Sequence, residues 1–233
     1  MIPLVLISAV VLGLAFLVYA SYNVSSNVYV NAFCRAKTTR KVVALTFDDG
    51  PHGENTEAVL DLLSAKKIPA AFFCIGSKAE TQPDVVSRMV RDGHLVGNHS
   101  YSHSAKFPVF DVDRMVADIA KCNEVLEEIT EEKVLFFRPP FGVTNPLLKK
   151  ALKNFEFDVV GWSVRSYDAR AGETVESVVE RITKRIEPGS VILLHDRLDD
   201  SEEILRRVLQ WLADNEYEVE RADRLLGLPS VED

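Results

Sequence analysis

Five short polar segments carry the residue types that hydrolytic chemistry needs, and each stands where a hydrophobic run stops. They are Thr46-Phe47-Asp48-Asp49-Gly50, His99-Ser100-Tyr101-Ser102-His103, Arg138-Pro139-Pro140-Phe141-Gly142, Trp162 to Asp168, and Leu194-His195-Asp196. Neighbouring residues at a strand end point different ways, so one of Asp48 and Asp49 can bind a metal while the other faces a substrate as a base. His99 and His103 lie four apart; on one helical turn they share a face and can hold the same ion. Two imidazoles and a carboxylate make a usual ligand set for a catalytic divalent metal with open positions. Arg138 can hold a carboxylate oriented and ionised, and the rigid Pro-Pro-Phe-Gly turn can aim a backbone N–H at an oxyanion. His195 ends a very apolar run, and Asp168 is placed to orient it and raise its pKa, as a general acid requires. Asp196 is expected to cap the following turn. Each segment alone has an ordinary structural explanation; gathered together they point to one metal-dependent active site.

Strand-like runs at Val42–Phe47, Ala70–Ile75, His94–Asn98, Val134–Arg138, Phe157–Val164, Ser190–Leu194 and Tyr217–Glu220 must position these groups. Helical patterns lie between them, the clearest at Asp111–Thr130, with Met115, Ile119, Cys122, Leu126 and Ile129 at spacings of three and four. Alternating strands and helices imply mainly parallel β-α units. An open doubly wound sheet and a (β/α) barrel both fit. The barrel is favoured because polar segments follow five different strands, whereas an open sheet concentrates its site at one switch point.

In this order the five segments resemble the polysaccharide deacetylase family, carbohydrate esterase family four, with its NodB homology domain. The resemblance covers about residues 42–226. It implies a distorted (β/α) barrel of about seven strands that removes N-acetyl groups from N-acetylglucosamine-containing polysaccharide, peptidoglycan or chitin-like oligomers. It also implies that Asp48 is the base, that Asp49, His99 and His103 are the metal ligands, and that Arg138 positions the base. Phe141 would supply an oxyanion N–H, His195 the general acid, Asp168 its partner, and Leu193 and Leu194 the acetyl pocket. Zinc leads for the ion, with cobalt and nickel suited to the same donors. One motif departs from the family pattern: Ala169 follows Asp168 where a Trp is usual, so that Trp162 is the candidate replacement in the substrate groove, and Arg165 stands where a small or acidic residue is common, so that Arg165 and Arg170 either favour an anionic polymer or are simply solvated. Ester hydrolysis on acetylated xylan, cyclic-amide hydrolysis and a non-catalytic carbohydrate-binding role are the alternatives.

The chain has 233 residues, is 47% hydrophobic and 27% charged, and carries a net charge of −8. That balance fits a globular domain and disfavours a nucleic-acid partner. Its three cysteines show no CxxC spacing, which argues against a thiolate zinc site or a disulfide framework. No charged residue occurs from Ile2 to Cys34. The apolar stretch at 2–20 is just long enough to span a bilayer, as an anchor or as a signal segment cleaved after Ala20. The catalytic domain is expected outside the cytoplasm, anchored or secreted, although the basic residues from Arg35 to Lys41 argue mildly for the opposite orientation. Residues 21–41 read as a polar linker and 42–233 as the catalytic domain. The sequence sets no oligomeric state.

Overall fold

The computed structural model describes residues 2–229, with side chains described from Ile7 onward. In chain order the elements are α1 (Ile2–Tyr22), β1 (Ala32–Phe33), β2 (Val42–Asp48), α2 (Gly53–Lys66), β3 (Ala71–Cys74), α3 (Gly76–Ala79), α4 (Pro83–Arg91) and β4 (Leu95–Asn98). Then come α5 (Val112–Thr130), β5 (Phe136–Phe137), α6 (Pro146–Ala151), β6 (Asp158–Val160), β7 (Val164–Arg165), α7 (Val175–Thr183), β8 (Val191–His195), α8 (Ser201–Asp214), β9 (Glu218–Val219) and α9 (Ala222–Leu226). Asp111 caps α5 by accepting from the Arg114 N–H, and Thr174 caps α7 through Ser177.

The sheet runs β1-β6-β5-β4-β3-β2-β8-β7, parallel throughout, with β9 also pairing with β2. Chain length dictates its curvature. β6 and β7 stand six strand spacings apart in this order, about 29 Å if the sheet were flat. Val160 and Val164 are four residues apart and can reach at most about 14 Å. The sheet therefore curls until its ends approach, a distorted barrel that β1–β7 pairing does not close. The same geometry breaks the strand expected over Phe157–Val164. Gly161, Trp162 and Ser163 cross the gap, and a Cβ on Gly161 would lie 2.5 Å from the Cys34 sulfur.

β2 reads Val-Val-Ala-Leu-Thr-Phe-Asp and is buried along its whole length, as a central strand covered on both faces must be. Its residues alternate: Val43, Leu45 and Phe47 pack outward against the helices, whereas Val42 and Ala44 belong to the interior cluster with Phe73 and Val191. The three cysteines are free.

Residues 21–41 are not a linker. Val24, Val30 and Ala32 are buried against Phe107, Phe137 and Val159, and β1 pairs with β6. Ser and Asn there serve local bonds rather than flexibility: Asn27 accepts from the Ala32 N–H and Asn23 from Ser25. α1 ends against the domain, with Ala20 fully buried and the Ala20 and Ser21 carbonyls accepting from Thr144. Farther back it exposes Val10, Leu12, Leu14, Phe16 and Leu17. Among the described residues no helix is long and apolar enough to cross a membrane. The side chains of residues 2–6 lie outside the described ones, so the expected span over 2–20 is described only in part.

Candidate active site

Parallel strands put all their C-terminal ends on one edge, and the five polar segments meet there. Register aligns Asp48 of β2 with Phe73 of β3 and with His195 of β8, while Asn98 of β4 faces both Cys74 and Phe137. His99 and Arg138 thus follow adjacent strands. They line or underlie a cleft of about 250 Å³ bordered by Asp48, Asp49, His99, His103 and His195.

The floor is an ion pair with no exposure of its cation. Arg138 is fully buried and donates from Nη1 to Asp48 Oδ1 at 2.7 Å and to Thr46 Oγ1 at 2.8 Å. Its Nε and Nη2 donate to the carbonyls of Val160 and Gly161. Burial lowers its pKa, which the Asp48 charge opposes. The plane lies over the Phe73 ring, 4.0 Å from guanidinium carbon to centroid. Asp48 is therefore fixed and charge-compensated on one oxygen, with its other oxygen, Oδ2, 3.8 Å from His99 Nε2.

Asp49, His99 and His103 offer ligand atoms all within 4.8 Å of one another. His99 Nδ1 lies 2.8 Å from the Arg138 carbonyl, which can only accept, so Nδ1 carries the proton and the Nε2 lone pair faces the cleft. His103 Nε2 is buried without a hydrogen-bond partner, yet stands 3.3 Å from Asp49 Oδ1. Burial, aided by His99, pushes His103 down to about 4, so it is neutral as a ligand must be. Burial raises the Asp49 carboxyl, but the neighbouring His99, His103 and His195 rings together outweigh it and hold the group well below the usual carboxylate range. An orphaned buried nitrogen, a second aimed lone pair and an ionised carboxylate fit a divalent cation.

The two histidines do not share a helical face. Residues 99–103 form a loop in which Ser100 (φ 65°) and His103 (φ 42°) adopt left-handed backbone conformations. Asn98 Oδ1 accepts from the Ser100 N–H, Ser100 Oγ accepts from His103 N–H, and Asp118 accepts from Tyr101. Asp49 is likewise left-handed at φ 71°. Such strain persists where surrounding bonds over-determine it.

On the opposite wall His195 Nδ1 lies 2.7 Å from Asp168 Oδ1, and Asp168 Oδ2 accepts the His195 backbone N–H. Ser166 and the Ala169 N–H also donate to Asp168. Burial depresses the imidazole, but the hydrogen bond and charge of Asp168, with Asp48 and Asp49, outweigh it and raise its pKa. Nε2 faces the metal-ligand side, 3.9 Å from Asp49 Oδ2.

Phe141 is left-handed (φ 61°) with its ring 4.6 Å from that of His103. The turn's own bonds are made by Gly142 and Val143 to the Pro139 and Pro140 carbonyls, without using the Phe141 N–H. Gly142 is needed beside it, since a Cβ would lie 2.3 Å from the Trp162 ring. Trp162 and Leu193 line the cleft; Leu194 does not. Alternation along β8 turns Leu194 outward into the helix-facing core with Leu45 and Leu205. Asp196 does not cap a turn. It is fully buried beside Gly50, accepts from Thr56 Oγ1 at 2.7 Å, leaves Oδ1 unpartnered, and burial raises it to about 6.

Two residues at the site carried no sequence signal. Arg197 Nε donates to Asp49 Oδ2 at 2.9 Å, and Lys78 Nζ donates to the Asp49 carbonyl at 2.7 Å. Asp49 therefore presents Oδ1 to the histidines and has Oδ2 tied back.

A family model described as polysaccharide deacetylase matches residues 35–160. The chain belongs to that family. It is 34% identical over 191 residues to a peptidoglycan-N-acetylglucosamine deacetylase of Bacillus cereus, covering 80% of this chain and 88% of that protein. It is 32% identical over 186 residues to the peptidoglycan-N-acetylmuramic acid deacetylase PdaC of Bacillus subtilis, covering 80% of this chain but only 39% of that longer protein. Among solved structures, a family 4 acetyl xylan esterase from Clostridium thermocellum in complex with a cobalt ion superposes with a TM-score of 0.74 at 31% identity, covering 81% of this chain and 93% of that one.

Proposed function

We propose that this deacetylase-family chain removes N-acetyl groups from N-acetylglucosamine-containing polysaccharide, peptidoglycan or chitin-like oligomers, with one bound divalent ion. One observation carries the reading. The Asp48–Arg138 pair and the His195–Asp168 pair stand on either side of the Asp49, His99 and His103 donors in a single cleft. An ion on those donors, zinc by preference with cobalt or nickel as substitutes, would supply Lewis-acid polarisation of the acetyl carbonyl and a nucleophile at neutral pH. Asp48, held by Arg138, accepts the proton from the attacking water. The Phe141 N–H donates to the developing oxyanion. His195 Nε2 delivers a proton to the sugar nitrogen, a poor leaving group until protonated, while Asp168 stabilises the imidazolium. Leu193 and Trp162 wall the acetyl and sugar sites, with Trp162 standing in for the Trp that Ala169 replaces.

The likeness to an acetyl xylan esterase favours a second reading, ester hydrolysis, in which the leaving alkoxide depends less on the acid. Acetate release from acetylated chito-oligosaccharides, peptidoglycan and acetylated xylan, with metal content measured on the same preparation, tests both. Asp49→Asn, which suits the left-handed backbone, and His103→Ala should lose metal and activity together. His195→Gln should keep its metal and lose amide more than ester turnover. Full metal occupancy in Asp49→Asn would sink the ligand assignment.

The proposal extends to location. A helix that leaves Leu12, Leu14, Phe16 and Leu17 exposed is stable in apolar surroundings, so α1 holds the catalytic domain at a membrane, outside the cytoplasm. Protease digestion of intact cells should degrade the catalytic domain; protection until lysis would refute that orientation.

A further inference from the structure

A second cleft, about 490 Å³, adjoins the catalytic one. Trp162, Arg165 and Tyr167 line both, so they form a common wall. The second cleft also takes in Arg35 and Arg185, and no carboxylate lines it. In a chain of net charge −8 this is an unusual concentration of positive charge. Arg35 is already paired with Glu187. Arg165 and Arg185 have no ion pair among the described residues. Arg165 rests instead on aromatic rings, its guanidinium carbon 5.3 Å from the Trp162 centroid and 4.9 Å from that of Tyr167. Arg170 adds a further guanidinium over Tyr167 on the catalytic side. Stacking uses the face of the group and leaves its in-plane N–H donors free for a planar carboxylate.

We infer that the second cleft is a subsite for a carboxylate-bearing sugar of the same N-acetylated glycan, with its carboxylate held by Arg165 and Arg185. The inference rests on the polysaccharide reading of the catalytic cleft and adds a preference that Asp48, His195 and the metal ligands cannot impose. The aromatic wall of Trp162 and Tyr167 offers the sugar an apolar face, and the arginines select its charge.

The test compares peptide-free glycan strands of peptidoglycan with the same strands after chemical reduction of their carboxyl groups, on zinc-loaded protein. The native strands should be used about tenfold better in kcat/KM, since a hydrogen bond to a charged group is of that size. That ratio should shrink as salt rises. In the Arg165→Gln/Arg185→Gln double variant it should fall close to one. A ratio near one in the unsubstituted protein, or an unchanged ratio in the variant, would overturn the subsite. If neither strand releases acetate, the deacetylase reading fails on its own. Calorimetric binding of the two strands then decides the subsite, and equal affinities would refute it. Should the double variant melt early, Arg185→Gln alone, at an exposed position outside the catalytic cleft, should lower the ratio about threefold; no change would count against the subsite.

Discussion

Arg138 is the residue whose removal should be most informative. It makes four hydrogen bonds from full burial, to Asp48, Thr46 and the carbonyls of Val160 and Gly161, which ties β2 to the end of β6 across the barrel interior. Replacing it by Met removes the charge and every donor while keeping much of the volume. Asp48, only 4% exposed, is then a buried carboxylate with no cation. Breaking one side of a buried pair costs about 3–5 kcal/mol. For a domain of this size each kcal/mol moves the melting point by about 2–4 °C, so a drop of about 6–20 °C is expected. Calorimetry on metal-free protein keeps metal binding out of the measurement. Lys in place of Arg reaches Asp48 as a point charge but cannot fork to the Val160 and Gly161 carbonyls, so it should recover less than half of the loss. In a double-mutant cycle with Asp48→Asn, the coupling should exceed about 1.5 kcal/mol. A loss below about 1 kcal/mol in Arg138→Met, or a coupling near zero, would refute the account of Arg138 as the strut beneath the base.

Arg197→Ala frees Asp49 Oδ2 and should weaken zinc binding about tenfold by competition titration; a gain in affinity would mean that its positive charge outweighs its positioning effect. Asp168→Asn removes the carboxylate that raises His195, so the alkaline limb of the pH–rate profile should move to lower pH. The same raised pKa adds stability that is fully present below the ordinary histidine value, about 6.5, and is lost as pH rises through the folded value. Urea melts across that range should show the decline in the unsubstituted protein and a smaller one in Asp168→Asn. Gly142→Ala places a Cβ against Trp162 at a positive φ, and should cost about 1–3 kcal/mol and raise KM as the Trp162 wall moves; unaltered kinetics would show that Trp162 does not shape the groove.

The site was legible because its chemistry sits at strand ends, where polar residues interrupt apolar runs. Asp48, Asp49, His99, His103, Arg138, Asp168 and His195 all meet in or beneath one cleft. Their backbone was not legible. The spacing of His99 and His103 suggested a helix, but the side chains of Asn98 and Asp118 close a strained loop instead. Leu194 could have been excluded by parity, since His195 and Leu193 share a face of β8 that Leu194 cannot. Asp196 looked like a cap because nothing local shows that Thr56, far away in sequence, waits to donate to it. Arg197 and Lys78 are ordinary surface types in sequence, and only tertiary contact turns them toward Asp49. The barrel's incomplete closure was hidden in the three residues between β6 and β7, which read as one continuous strand.

The docking of α1 has a practical consequence for how the protein is handled. A helix of 21 residues is about 32 Å long, and its last turn is bonded to Thr144, two residues beyond Gly142. It is a bracket rather than a leash, so α1 is held in one orientation to the mouth of the cleft. A recombinant chain trimmed after Tyr22 would strip the buried Thr144 hydroxyl and N–H of their acceptors beside the Phe141 turn. One that begins a few residues before Ala20 keeps them.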